Sequence, residues 1–478
     1  MKPIKRNYIS AFLLSWSLFY LASCGSVKQA TLPALKKMPD SFSRLDDAPV
    51  EALSWKAIFT QNDLEKLIDT ALKNNLDLKS GMQRVLVAGA NLKLSKAMMY
   101  PTLQANISGG LDRFGKYTMN GVGNYDTNFS TNLNSNQLIP NPTPDYFAGF
   151  RSSWEIDIWG KLSKRKEAAY NRYLASAKGL KWYQTQLVCQ VAELYFELVA
   201  LDKKLEIVER NIKVQNHGLE IVEAQMTGGR ATALAVSQFK AQRIATEAKQ
   251  FQIRKAIIKI ENDLNALMGQ YPGTLERDTT AITKKLPEKI YAGIPTKVLL
   301  SRPDIQEAEL ALKATKADVS AARKAFFPSL TLDAYAGYNA FRLPLLFSPG
   351  SLAAGFLGGL TAPILNRAAL KNNQLLANAA QQSAFFDYQK SIINGYSEVS
   401  SQLGALENLK SAYQFKSREV TELKTAVSTA NDLYLAGYAS YLEVIVAQGS
   451  VLNAEMEQVD LKRESYGALI GLFRALGG

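Results

Sequence analysis

The chain has 478 residues, 47% hydrophobic and 21% charged, with a formal net charge of +13. One histidine (His217) and two cysteines (Cys24, Cys189) are too few for a zinc site, a disulfide framework or a Cys/His dyad, so no metal or cofactor is expected. The basic excess is spread along helical stretches with no dense Lys/Arg run, which argues against nucleic acid as a partner.

Residues 1–23 read as a secretion signal. Lys2, Lys5 and Arg6 precede an apolar run, Ile9 to Leu21, that is too short to span a bilayer with any margin. The run closes in Leu21-Ala22-Ser23-Cys24, which resembles the bacterial lipobox, so Cys24 is expected to carry lipid and become the mature N-terminus. Acyl chains at ~0.8 kcal/mol per buried methylene would anchor it durably. Residues 24–61, with Pro33, Pro39 and Pro49, read as an extended tether.

The rest divides into a first repeat (62–269), a linker or equatorial segment (270–303) and a second repeat (304–478). The stretch from Asp77 to Gly110 recurs without a gap from Asp304 to Gly337: Pro101 falls on Pro328 and Leu103 on Leu330. In each copy a helical pattern meets an aromatic residue and a proline, then alternates like a strand. The residue before proline is pushed out of the α region, so Pro101 and Pro328 mark strand–helix junctions. The first helix begins near Asn62 and is expected to break near Asn74-Asn75.

Four alternating runs are predicted. Leu103, Ala105, Ile107 and Leu111 share one face against Thr102, Gln104, Asn106 and Ser108. After an irregular loop from Phe114 to Pro144, Tyr146, Ala148, Phe150, Trp154 and Ile156 oppose Arg151, Ser153, Glu155 and Asp157. Leu330, Leu332, Ala334, Ala336 and Tyr338 form the third, and Leu352, Ala354, Phe356 and Leu360 the fourth. Runs of this length behind a secretion signal fit tilted membrane strands. Trp154, Trp159, Tyr146, Phe147 and Tyr338 would suit an aromatic girdle.

A proline-free helix follows each pair. Apolar residues recur at sevens: Tyr173, Leu180, Leu187, Leu194, Leu201 and Val208 in one row, Val191, Leu198, Leu205, Ile212 and Leu219 in another. The second half continues from Phe385 through Val399 to Tyr434. Such rows specify coiled-coil packing, and ~65 residues reach ~100 Å. The helices turn back at Gly228-Gly229 and at Gly437, and Ser301 or Asp304 is a candidate cap where the second repeat opens.

Lipobox, duplicated helix–proline–strand, paired strands, heptad helices and glycine turns together resemble the outer-membrane efflux factors, in the lipoprotein branch of the TolC-like family. The most specific pieces are Ser301-Arg302-Pro303-Asp304-Ile305, the Pro363-Ile364-Leu365-Asn366-Arg367 exit from the last strand, and the tip from Tyr434 to Ala447. The resemblance implies a mainly α fold with a membrane β-barrel part. Three chains would form a trimeric α-barrel of coiled-coil helices and give four strands each to a shared twelve-stranded barrel. It implies an exit duct in the outer membrane, passively conducting substrates from a periplasmic adaptor and an inner-membrane pump of resistance-nodulation-division type. Physics reaches part of this: four strands cannot close a barrel, and open edges are not tolerated in lipid, so chains must associate.

At the tip, the family places an acid six residues after the turn glycine, narrowing the periplasmic entrance; here that residue is Glu443. A second family acid falls at Val446. A tyrosine three before the glycine matches Tyr434, whose usual acidic partner falls at Ala235. Without the tunnel, Glu443 simply favours a helix N-terminus. A structural or adhesive coiled-coil lipoprotein would account for the heptads but not for four amphipathic strands. An enzyme would need a base, and His217 and the Glu155/Asp157 pair read better as solvated and lumen-facing residues.

Overall fold

The computed structural model describes residues 31–42, 55–58, 61–284, 295–362 and 367–478. The expected signal segment, Cys24 and the exit at Pro363 lie outside them. Ten α-helices and four strands are described: α1 (Trp55–Ile58), α2 (Asn62–Asn74), α3 (Leu76–Ala97), β1 (Thr102–Asp112), α4 (Met119–Thr127), β2 (Thr143–Ile156), α5 (Lys161–Thr227), α6 (Ala233–Leu267), α7 (Pro295–Ser301), α8 (Pro303–Lys324), β3 (Ser329–Ala340), β4 (Leu352–Thr361), α9 (Arg367–Leu435) and α10 (Tyr441–Ala475). They form two compact units, each drawing on both repeats.

One unit is built on Ala88–Tyr173 and Ala311–Phe385. Its strands make a single antiparallel sheet in the order β1-β2-β3-β4, leaving β1 and β4 as open edges. Thr102 lies opposite Ser153, Arg151 opposite Tyr335, and Tyr335 opposite Gly355. The pleat therefore puts all the alternating apolar residues on one face, because register fixes facing at a period of two. The loop between β1 and β2 is not wholly irregular as expected. It holds α4, started by Thr118, whose hydroxyl accepts from Gly121 N at 3.1 Å.

The other unit is built on Pro33–Val87, Leu174–Leu310 and Phe386–Gly478. Its core is the heptad rows: Leu187, Val191, Leu198 and Val208 on α5, and Ile392, Val399 and Val420 on α9, are buried. Helices of 67 and 69 residues bury a stripe along their length, which propensity alone would not hold straight. The N-terminal stretch is extended at 31–42, and Phe42 stacks on Tyr396 at 5.3 Å while the Tyr396 hydroxyl donates to Ser41 O. Arg277 ties the segment after α6 to the long helices, bonding Asp202 at 2.6 and 2.9 Å and Glu261 at 2.5 Å. Cys189 is buried, and that burial pushes its thiol up to about 12, so it is inert.

The break at Asn74-Asn75 is a designed joint. Asn75 is buried; its carbonyl oxygen accepts from Leu78 N at 2.8 Å, and its amide donates to Leu267 O, the end of α6, at 2.9 Å. The corresponding residue of the second repeat is Arg302, whose side chain is 1% exposed. Its guanidinium donates to Ala475 O, the end of α10, at 2.8 Å, to Asp304 at 2.8 and 3.0 Å and to Glu398 at 2.9 Å, and lies 5.1 Å from the Trp182 ring. Asp304 thus holds Arg302 and does not cap the helix as expected, and the Ser301 hydroxyl donates to Val298 O.

Candidate functional site

Three places carry the residues singled out by the sequence: the sheet, its junctions with the helices, and the helical turns. On the sheet, Leu103, Ile107, Leu111, Phe150, Leu352, Phe356 and Leu360 stand exposed on one face. So large an uncovered apolar surface needs an apolar environment or a partner. The opposite face carries Gln104, Asn106, Ser108, Arg151, Asp333, Thr331 and Asn339. Among the described residues no helix is long and apolar enough to cross a membrane.

The aromatic residues divide differently from the expected girdle. Phe147 falls on the polar face, where it is buried against the Tyr335 ring at 6.1 Å with the Arg151 guanidinium 5.0 Å from its centroid. The odd position of Phe147 in the run already sets it on the face opposite Tyr146 and Phe150, and the pairing brings it to Tyr335 on the neighbouring strand. Trp154 and Trp159 serve the junctions. The Trp154 indole donates to Met99 O at 2.9 Å beside Pro101, and Trp159 donates to Pro328 O at 2.7 Å while stacking on Phe327. Each indole satisfies a carbonyl at a point where the helix stops and no ladder has begun.

Glu155 and Asp157 also part company. Glu155 pairs with Lys161. Asp157 lies past the end of β2 and accepts from Leu162 N at 2.8 Å and Ser163 N at 2.7 Å, starting α5. Burial opposes its ionisation, yet these donors hold its carboxyl below the ordinary range. It is a helix cap, which corrects the lumen-facing expectation. His217 is exposed, 3.6 Å from Glu220.

The two turns share one backbone. After α5, Gly229 takes φ +73°, and Arg230 N and Ala231 N both donate to Gln225 O, at 2.8 and 3.3 Å. After α9, Gly437 takes φ +83°, and Tyr438 N and Ala439 N donate to Leu433 O, at 2.8 and 3.2 Å. Only glycine adopts this left-handed conformation without a Cβ penalty. Gly228 precedes the strained position and has φ in the ordinary range.

Side chains distinguish the turns. In the first, the Thr232 hydroxyl accepts from Ala235 N at 3.2 Å. In the second, Glu443 accepts from Ser440 N at 2.6 Å and from the Ser440 hydroxyl. The Ser440 hydroxyl bond, with the backbone donors of that turn, holds the Glu443 carboxyl below the usual glutamate range. Ala235, the position corresponding to Glu443, is fully buried with Leu219, Val222, Val236, Phe239 and Val444. Tyr434 packs on this cluster, which pushes its phenol up, while Val446 is exposed.

Comparison with known proteins gives a consistent result. The family model described as "Outer membrane efflux protein" matches residues 67–270 and 294–478. The probable outer membrane lipoprotein SilC of Salmonella typhimurium is 30% identical over 473 residues, 98% of each chain. The cation efflux system protein CusC of Escherichia coli is 29% identical over 465 residues, 96% of this chain and 97% of that one. The open-state crystal structure of the Neisseria gonorrhoeae MtrE outer membrane channel superposes with a TM-score of 0.80 at 26% identity, covering 95% of this chain and 98% of that one.

Proposed function

The chain belongs to the outer membrane efflux protein family, and from that premise we propose that it is the outer-membrane exit duct of a tripartite efflux system. The observation that carries this reading is the open-edged sheet with one exposed apolar face and one polar face. Three copies supply twelve strands, so β1 of one chain pairs with β4 of the next and no edge is left in lipid. The apolar face meets the bilayer and the polar face lines a water-filled passage. The heptad helices of three chains form an α-barrel in the periplasm, where a periplasmic adaptor and an inner-membrane pump deliver cargo. The pump supplies the energy, and we assign it to the resistance-nodulation-division type. The duct performs no chemistry of its own, a reading supported by the structural duties of Glu155 and Asp157. It needs no cofactor beyond a lipid on Cys24.

Purified protein in planar bilayers is expected to form ion-conducting trimers, and absence of conductance would overturn the duct in favour of a purely structural coiled-coil lipoprotein. Mass spectrometry of the mature N-terminus tests the lipid: an acyl mass on Cys24, absent from Cys24→Ala, is expected. At the tip, three Glu443 carboxylates around the axis would form a cation-attracting constriction, with Tyr434 and Gly437 holding the turn that presents them. Glu443→Ala is then expected to raise conductance or weaken cation selectivity, and unchanged values would leave Glu443 as a helix cap only.

A further inference from the structure

The end of the sheet opposite the strand–helix junctions carries two apolar surfaces that the chain itself leaves uncovered. On and just after α4, Val122, Tyr125 and Phe129 follow one another at helical spacing and are exposed, Tyr125 to 70%. The stripe is held in place. Thr118 caps α4, and the Asn128 side chain donates to Ile139 O at 3.0 Å and accepts from Ile139 N at 2.8 Å. Between α4 and that strap lies a hollow of about 480 Å³, lined by Phe114, Val122, Tyr125, Ile139 and Pro140 among others. On the segment joining β3 to β4, Leu343 and Phe347 are exposed, Phe347 to 73%. Within one chain that segment reaches a different part of the β1–β2 loop. Arg342 donates to Leu138 O at 3.1 Å, and no α4 residue lines the hollow where the two segments meet.

The internal duplication sets what lies beside α4 across the open edge of β1. β1 matches β3 residue for residue, with Ile107 on Ala334 and Leu111 on Tyr338. Ile107 pairs with Ala148 and Ala334 with Phe356, so Ala148 matches Phe356. β2 meets β3 with Ala148 opposite Tyr338; by the same rule β4 meets β1 of the next copy with Phe356 opposite Leu111. Onward from that pair, one chain leads through Leu352 to Phe347 and its neighbour leads to α4, side by side. We propose that Leu343 and Phe347 of each chain dock against the α4 stripe of the next, with Phe347 in the hollow beside Tyr125. A collar of aromatic contacts then seals each seam of the shared barrel at the end opposite the helices. Exposed apolar stripes need cover, interfaces are enriched in aromatic side chains, and this partner is continuous with the strand pairing. The collar rests on the shared twelve-stranded barrel of the proposed duct.

Two cysteine pairs in the detergent-solubilised protein test this. Leu111→Cys with Phe356→Cys probes the strand seam, and Tyr125→Cys with Phe347→Cys probes the collar. All four side chains are exposed in the single chain, so the variants are expected to remain trimers by gel filtration. With a short bismaleimide, each double variant is expected to shift most of the monomer band on a denaturing gel to covalent trimer. Each single variant, which keeps Cys24 and Cys189, is expected to stay monomeric on that gel. Crosslinking at the seam but not at the collar would remove the collar alone, whereas no crosslinking by either pair would remove the shared barrel. In liposomes, a lipid-phase photoreactive probe that labels Tyr125 while the collar pair fails to crosslink would give the stripe to lipid and overturn the collar. A collar pair joined within one chain, leaving the band monomeric, would overturn it as well.

Discussion

The two repeats close with the same joint made from different chemistry. In the first, neutral Asn75 ties the start of α3 to the end of α6; in the second, Arg302 ties the start of α8 to the end of α10 and gathers Asp304 and Glu398 as well. The two tips differ in the same sense, Thr232 alone against Ser440 with Glu443. At these joints and tips the two copies share a backbone, and it is the second copy that places ionised groups there. A neutral hydrogen bond contributes about 1 kcal/mol, whereas a buried charge must keep its partners or cost several. At the joints the second copy is therefore the more sensitive to single changes.

The sharpest way to break this comparison is at the joints. Arg302→Ala strands Asp304 and Glu398 and opens a cavity, and is expected to destabilise by about 3–5 kcal/mol. Thermal melting of the detergent-solubilised trimer by circular dichroism checks it. Asn75→Ala is expected to cost about 1–3 kcal/mol in the same assay. Equal losses would mean that the charge at Arg302 adds nothing to the shared joint.

Smaller effects are expected at the tips. Thr232→Ala removes the side-chain cap seen at the first turn and is expected to cost about 1 kcal/mol. Ser440→Ala should cost less, since Glu443 still accepts from the backbone at 440. Amide hydrogen exchange at the first turns of α6 and α10 distinguishes the two. The smallest effect concerns pH. The Glu443 carboxyl is depressed in the folded chain, so its contribution is present above the unfolded value, about 4.3, and is lost as pH falls through the folded one. Exchange in the first turn of α10 is expected to quicken below about pH 4 in the wild type and to stay flat in Glu443→Gln, with α6 unaffected in both.

Much of this architecture was legible in the residues themselves. Strand alternation, seven-residue rows, glycine turns and the proline junctions are local signals, and each follows from a backbone period or a restricted φ. The turn at Gly437 needed nothing beyond its neighbours, whereas Asn75 breaks the helix locally and also reaches Leu267 O, 192 residues away. By contrast, Phe147 read as belt and lies on the polar face, Asp157 read as lumen and caps α5, and Asp304 read as a cap and holds Arg302. Asp304 is drawn to Arg302 because the same guanidinium reaches Glu398 and Ala475, 96 and 173 residues away; Phe147 packs on Tyr335 of another strand, and Asp157 depends on where β2 ends. Sequence by itself determined the periods, the turns and the duplication, because these arise between residues a few positions apart. Only the tertiary structure decided which polar groups meet, because a buried charge is fixed by whichever distant donor or acceptor the packed helices bring to it.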